Sequence, residues 1–133
     1  MGDERIAPAA FRAAPHGASA TAATSRYGAN VTYTLNMAAT VRFTVVEVSP
    51  GRSGSSGQCV RPTQANQRTH ACTLQVPLPG SFTRAGHAGT NHFRFTGRLD
   101  GNKLATGAYR LIATPMTGGQ TGLTASTAFR IIG

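Results

Sequence analysis

The chain has 133 residues, with 13 Lys and Arg against 4 Asp and Glu, 16 Gly, 7 Pro, 2 Cys and no Trp, for a formal net charge of +9. That length suits one domain, because independent cores form in units of about 100–150 residues. No run of about 18 apolar residues occurs, which excludes a membrane-spanning helix, and the opening Met1-Gly2-Asp3-Glu4-Arg5 is not followed by the apolar stretch of a signal peptide.

Nowhere do apolar residues recur at i, i+3, i+4 and i+7 without Gly, Pro or β-branched interruptions, so the pattern predicts an all-β protein. From the N-terminus, Ile6 to Phe11 reads as a weak strand broken by Pro8, which cannot donate to an internal ladder and belongs at a sheet edge or strand end. Ala13 to Ala23, rich in small residues with Pro15 and Gly17, reads either as a crossing between two sheets or as a loose segment. Residues 1–23 thus form an N-terminal edge strand and lead segment ahead of a main body at 24–133, the two together making a single domain.

Alternation of period two marks the stronger strands. Val31, Tyr33, Leu35 and Met37 alternate with Thr32, Thr34 and Asn36, and Val41, Phe43 and Val45 alternate with Arg42 and Thr44. Residues 49–58, a Ser- and Gly-rich run opening on Ser49-Pro50-Gly51, read as a turn and mobile loop. A weaker strand over Cys72 to Val76 is expected to stop at Pro77 and Pro79, with a short one near Ser81 to Arg84. Phe93 and Phe95, then Tyr109, Leu111 and Ala113, then Phe129 and Ile131 complete the alternating set. Turn signals stand at Tyr27-Gly28-Ala29-Asn30, Asp100-Gly101-Asn102-Lys103 and Thr117-Gly118-Gly119-Gln120. Seven or eight short antiparallel strands at this spacing predict a β-sandwich or small barrel.

Cys59 and Cys72 admit a disulfide, two free thiols or half of a metal site. Their spacing of 13 is not Cys-x-x-Cys, and only His70 lies near enough in sequence to add a ligand, so the disulfide is favoured. It would stabilise the fold by roughly 3 kcal/mol in the chain-entropy picture and implies an oxidising, extracytoplasmic compartment, so that the missing signal peptide suggests a trimmed chain or a module excised from a longer secreted protein.

The four acids are Asp3, Glu4, Glu47 and Asp100: two at the terminus, one at a strand end and one opening an Asp-Gly turn. That placement disfavours paired-carboxylate chemistry, and no Gly-x-Ser-x-Gly elbow supports a nucleophile, so the expectation is a protein that is not an enzyme. His87 and His92 bracket a short loop, with His16 and His70 elsewhere, but nothing at fixed spacing completes a ligand set, and no metal or cofactor is expected. The only lysine, Lys103, sits in a turn, which leaves an intramolecular isopeptide bond without its buried amine.

Arg42, Arg94, Arg110 and Arg130 fall on the solvent phase of their strands and form the candidate anion-binding set. The competing reading is a solvated sheet face that the arginines protect from aggregation. Clustered lysines and exposed aromatics are missing, which disfavours nucleic acid.

The stretch Gly80 to Leu99, continued by Asp100-Gly-Asn-Lys-Leu-Ala-Thr-Gly-Ala-Tyr-Arg-Leu-Ile-Ala-Thr-Pro115, resembles immunoglobulin-like or fibronectin type III-like modules of secreted and surface proteins of high-GC actinobacteria. The Ala39–Val45 strand and the Cys59 and Cys72 pair fit the same pattern, so the likeness spans about residues 5–132. Such modules read Leu-x-Pro-Gly-x-Tyr-x-Leu before the penultimate strand; Leu104, Gly107, Tyr109 and Leu111 match, and Thr106 replaces the proline. The resemblance implies a two-sheet antiparallel sandwich in which Leu104, Gly107 and Tyr109 are structural, Tyr109 being similar to a tyrosine corner. It also implies a non-catalytic spacer, cap or adhesion unit, extracellular or at the cell surface, whose partners are other domains or protein subunits. A second expectation is a surface filament or adhesin subunit joined by strand exchange through the N-terminal segment. A third is an anionic-polymer binder using the arginine faces.

Overall fold

The computed structural model describes residues 3–22, 26–118 and 120–133. Strand accounts for 59% of the protein, and no α-helix occurs among the described residues, which agrees with the all-β pattern. In chain order the strands are β1 (Glu4–Ala7), β2 (Ala10–Phe11), β3 (Ala20–Thr21), β4 (Ala29–Leu35), β5 (Ala39–Ser53), β6 (Cys59–Val60), β7 (Ala71–Pro77), β8 (Phe82–Gly86), β9 (Gly89–Phe95), β10 (Arg98–Leu99), β11 (Asn102–Lys103), β12 (Gly107–Thr117), β13 (Gln120–Thr121) and β14 (Ala125–Ile131). One 3-10 turn, Gln64–Asn66, lies between β6 and β7.

A four-stranded sheet runs β1-β4-β9-β3, and a larger one runs β2-β14-β12-β5 with β6, β7, β8 and β13 attached. All pairings are antiparallel except β14 with β2. The lead segment is woven into both sheets: β1 pairs with β4, β2 with β14, and β3 with β9. The first change of sheet falls at the cis Ala7–Pro8 bond, between β1 and β2. Met1, Gly2 and the end of the lead segment at Ala23 lie outside the described residues.

The apolar phase of every alternating strand points into one core. Val31, Tyr33, Phe93 and Phe95 from the small sheet meet Val41, Phe43, Leu111 and Phe129 from the large one, all at most 3% exposed. All six Phe join Tyr33 and Tyr109 in a single chain of ring contacts. Across the sheets, Phe43 lies 4.9 Å from Phe93 and Phe95 lies 5.5 Å from Phe129, both edge-on. Phe82 stacks on Phe43 at 5.1 Å, and Tyr109 stacks on Phe129 at 5.4 Å. Each such pair adds about 0.5–1.5 kcal/mol beyond the burial of its area.

Three local expectations are corrected. Met37 is not inward: β4 ends at Leu35, and the side chain stands 55% exposed in the turn to β5. Ser49-Pro50-Gly51 is not a turn, because β5 continues to Ser53 and pairs with β7 from Val46 to Arg52; the loop shrinks to the residues just after it. Pro50 is tolerated because it falls between the last β12 pairing of β5, at Val48, and its first β6 pairing, at Arg52. Pro77 does not stop β7 from outside but is its last residue, opposite Val46. The Asp100-Gly101 turn does form, joining β10 to β11 with positive φ at both residues (52° and 78°), as a tight hairpin requires. In the Thr117–Gln120 turn, Gly119 lies outside the described residues.

Cys59 and Cys72 are bridged, with Cα atoms 5.9 Å apart, tying β6 to β7 at the end of β5. The bridge crosses Gly51 so closely that a Cβ there would stand 2.5 Å from Cys59 Sγ and 2.9 Å from the Val60 carbonyl oxygen. Glycine at 51 is therefore set by the disulfide as much as by the backbone.

Two outcomes follow from this packing. Phe95→Ala should lower unfolding free energy by about 3–5 kcal/mol in denaturant titrations, since the ring touches both sheets. Gly51→Ala should lower the melting temperature of the oxidised protein. In the Cys59→Ser, Cys72→Ser background the same change should cost measurably less, a non-additivity that calorimetry of the four proteins would read.

Candidate functional site

The side chains free to meet a ligand lie on the outer face of the large sheet, where register places them in rows. One row runs Gln75, Val48, Ala108, Arg130 and Ala10 across β7, β5, β12, β14 and β2. The next runs Pro77, Val46, Arg110 and Ala128. The alternate residues Val45, Tyr109, Leu111 and Phe129 are buried, so these rows face away from the core. Arg110 and Arg130 thus occupy one diagonal of a four-residue square, and Ala108 and Ala128 the other. Between them lies a groove of about 450 Å³ floored by alanines and Val48, with Thr73 and Gln75 at one side.

Of the four candidate arginines, three share this face. Arg42 stands opposite Thr114, separated from Arg110 by the neutral row Thr44, Ile112 and Ser126. Arg110 donates to Ser126 Oγ at 2.9 Å. Among the described residues one ion pair forms, Arg5 with Asp3 at 3.7 Å, and it is exposed and remote from the groove's arginines in sequence.

Arg94 belongs to the other sheet and is structurally committed. Its Nε donates to the Tyr27 carbonyl at 2.9 Å, and its Nη atoms donate to Asn30 Oδ1 and the Gly28 carbonyl, fastening the turn ahead of β4. A second groove of about 500 Å³ beside it is lined by Arg12, Arg26, Tyr27 and Arg94. Arg98 works in the same way: it donates to the carbonyls of Ala14, Pro15, Gly17 and Gly101. Between the two arginines, Thr96 Oγ1 donates to the Ala18 carbonyl at 2.6 Å, its N–H to the Ser19 carbonyl, and its own carbonyl accepts from Ala14 N–H. The roles of Arg98 and Thr96 left no trace in the sequence, because their partners are backbone atoms as many as 84 residues away.

The residues read as structural are placed as follows. Tyr109 opens inward from β12, 3% exposed, and its hydroxyl donates to the Ala105 carbonyl at 2.7 Å. Leu104 is buried beside it in the core cluster, and Gly107 begins β12 opposite Ile131. Burial pushes the Tyr109 phenol above its ordinary pKa, and the Glu47 carboxylate adds to that. Asn91 is a buried residue that alternation did not single out. It closes the β8–β9 turn by accepting from His87 N–H and donating to the His87 and Gly89 carbonyls. His87 and His92 do not converge with other ligands: no group of three or more His, Cys, Asp or Glu suited to a metal forms among the described residues.

Glu4 is the other surprise. Its place in the sequence predicts a terminal charge, yet β1 turns it inward opposite Tyr33, 8% exposed, and neither carboxylate oxygen has a hydrogen-bond partner among the described residues. Desolvation raises its pKa from 4.5 to about 8, against a smaller lowering by Arg110. A buried acid of this kind is neutral through the acidic range and becomes a cost once it ionises.

Compared with known proteins, the chain matches no family model, no curated protein and no solved structure.

The raised pKa has a definite sign. The unfolded chain loses the Glu4 proton near 4.5 and the folded one near 8, so stability is highest below 4.5 and falls as pH rises towards 8. The loss should be on the order of 3–5 kcal/mol. Glu4→Gln should flatten that slope and exceed the unsubstituted protein in stability at mildly alkaline pH, as urea titrations across the pH range would measure.

Proposed function

We propose that this chain is an immunoglobulin-like β-sandwich module serving as a non-catalytic structural and interaction unit of a secreted or surface protein. The strand order supports the fold: β1-β4-β9 in one sheet against β14-β12-β5 in the other corresponds to strands A, B and E facing G, F and C of an immunoglobulin sandwich. The Tyr109 hydroxyl on the Ala105 carbonyl, at the start of the penultimate long strand, has the form of a tyrosine corner. The Cys59–Cys72 bridge supports an oxidising location, and the absence, among the described residues, of a helix long and apolar enough to cross a membrane is compatible with it.

The observation that carries the functional reading is where the polar side chains are spent. Arg94, Arg98, Thr96, Asn91 and Tyr109 all donate to backbone carbonyls of turns and crossing segments. Such bonds make a scaffold rigid, and they leave the side chains best placed for chemistry already engaged.

A second reading, assembly by strand exchange, rests on β1 and β2. Both edge strands come from one lead segment, and the same pairing made to a neighbouring copy would join subunits. Light scattering separates the two. The module reading expects a monomer for the full chain, with aggregation or unfolding when residues 1–23 are removed. A full chain that assembles, and a shortened one that stays folded and monomeric, would replace it with strand exchange. A hydrolytic activity abolished by one side-chain change would overturn the non-catalytic reading.

A further inference from the structure

The groove on the outer face of the large sheet is built from parts that the scaffold does not use. Its floor is small and apolar over a continuous patch: Ala10, Val48, Ala108 and Ala128. At two corners are rooted Arg110 and Arg130, on neighbouring strands in adjacent rows; the Arg110 guanidinium rests on the Ser126 hydroxyl, in the row away from Arg130, and would turn from it to share an anion. Diagonal neighbours of this kind lie about 7 Å apart at their bases, within the reach of two arginine side chains onto one small anion. Neither forms an ion pair, Arg130 makes no side-chain hydrogen bond, and Arg110 bonds only the neutral Ser126 hydroxyl among the described residues. Two like charges over an apolar floor, in no ion pair among the described residues and offset only by the more distant, buried Glu4 carboxyl on which Arg110 acts, define a complementary ligand with one anionic head and one apolar tail. The volume of about 450 Å³ falls in the range of small-molecule sites.

We propose that this groove binds a single-chain anionic amphiphile, an alkyl carboxylate whose head lies between Arg110 and Arg130 and whose chain lies along the Ala10, Val48, Ala108 and Ala128 floor. The planar guanidinium is the side chain suited to paired hydrogen bonds with a carboxylate. A polyanion fits less well. The row Thr44, Ile112 and Ser126 breaks the positive stripe before Arg42, so a polymer gains little beyond what a single head group obtains, and the apolar floor goes unused. The site stands independently of the immunoglobulin-like reading, since it needs only the observed register of β5, β12 and β14.

Isothermal titration of the full chain with sodium decanoate, held below its micellar concentration, tests the proposal. Saturable one-site binding is expected. Arg130→Gln should weaken it about tenfold, the scale of one charge-assisted hydrogen bond, and Arg110→Gln should act in the same direction. Ala128→Trp, at an exposed strand position, should abolish it by filling the floor, and Arg42→Gln should bind like the unsubstituted chain. Thermal melts of each variant separate loss of the site from loss of the fold. Three results would overturn the proposal: no saturable heat, equal binding of decyltrimethylammonium, or decanoate affinity unchanged in both Arg130→Gln and Ala128→Trp. Tighter binding of a short polyphosphate that weakens in Arg42→Gln would overturn it in favour of a polymer track.

Discussion

The contact on which the rest depends is the aromatic network between the sheets. The six Phe rings, with Tyr33 and Tyr109, form one connected set, so the small sheet is held to the large one by rings that touch on both sides. Buried aliphatic residues such as Val31, Leu35, Val45 and Leu111 fill the space around these rings. Phe11 extends the network into the lead segment, 5.6 Å from Phe129 and 6.1 Å from Phe95, which brings β2 against β14 and fixes where the chain changes sheet.

Around that core, the basic character of the chain divides into two uses. Arg94 and Arg98 act as carbonyl clamps, holding the Tyr27–Gly28 turn and residues 14–17 onto the end of β9 and the start of β10. Gly97 makes room for the same crossing, since a Cβ at its left-handed φ of +80° would stand 2.7 Å from Ala13 Cβ. Arg42, Arg110 and Arg130, by contrast, face solvent on the opposite sheet, with their charge uncompensated by ion pairs among the described residues. The net charge of +9 is thus divided by position in the fold. Part of it fastens loops, and part of it borders an apolar groove.

Much of the architecture was legible because inward and outward positions differ chemically. Val31, Tyr33 and Leu35, or Tyr109, Leu111 and Ala113, show their buried face to anyone reading with period two, and the structure keeps that phase. The reading failed where tertiary partners outweigh local preference. Ser49-Pro50-Gly51 has turn composition, yet pairing with β7 and the disulfide over Gly51 keep it extended. Met37 continues the alternation beyond the point where the ladder stops. The candidate site was half legible. Alternation put Arg110 and Arg130 on the solvent face, but their shared corner with Ala108 and Ala128 depends on a β12–β14 register that composition does not encode.

The sequence by itself determined the β class, the two faces of each major strand, the cysteine pair and the poverty of acids, because each is carried by local residue chemistry. Only the tertiary structure decided that Arg94 is spent on backbone while Arg130 makes no side-chain hydrogen bond among the described residues, that Glu4 is buried without a hydrogen-bond partner among them, and that the lead segment serves both sheets. These outcomes rest on which backbone and side-chain atoms are brought together from distant parts of the chain. Such proximity is set by sheet register and by the packing of one sheet on the other, which no local pattern records.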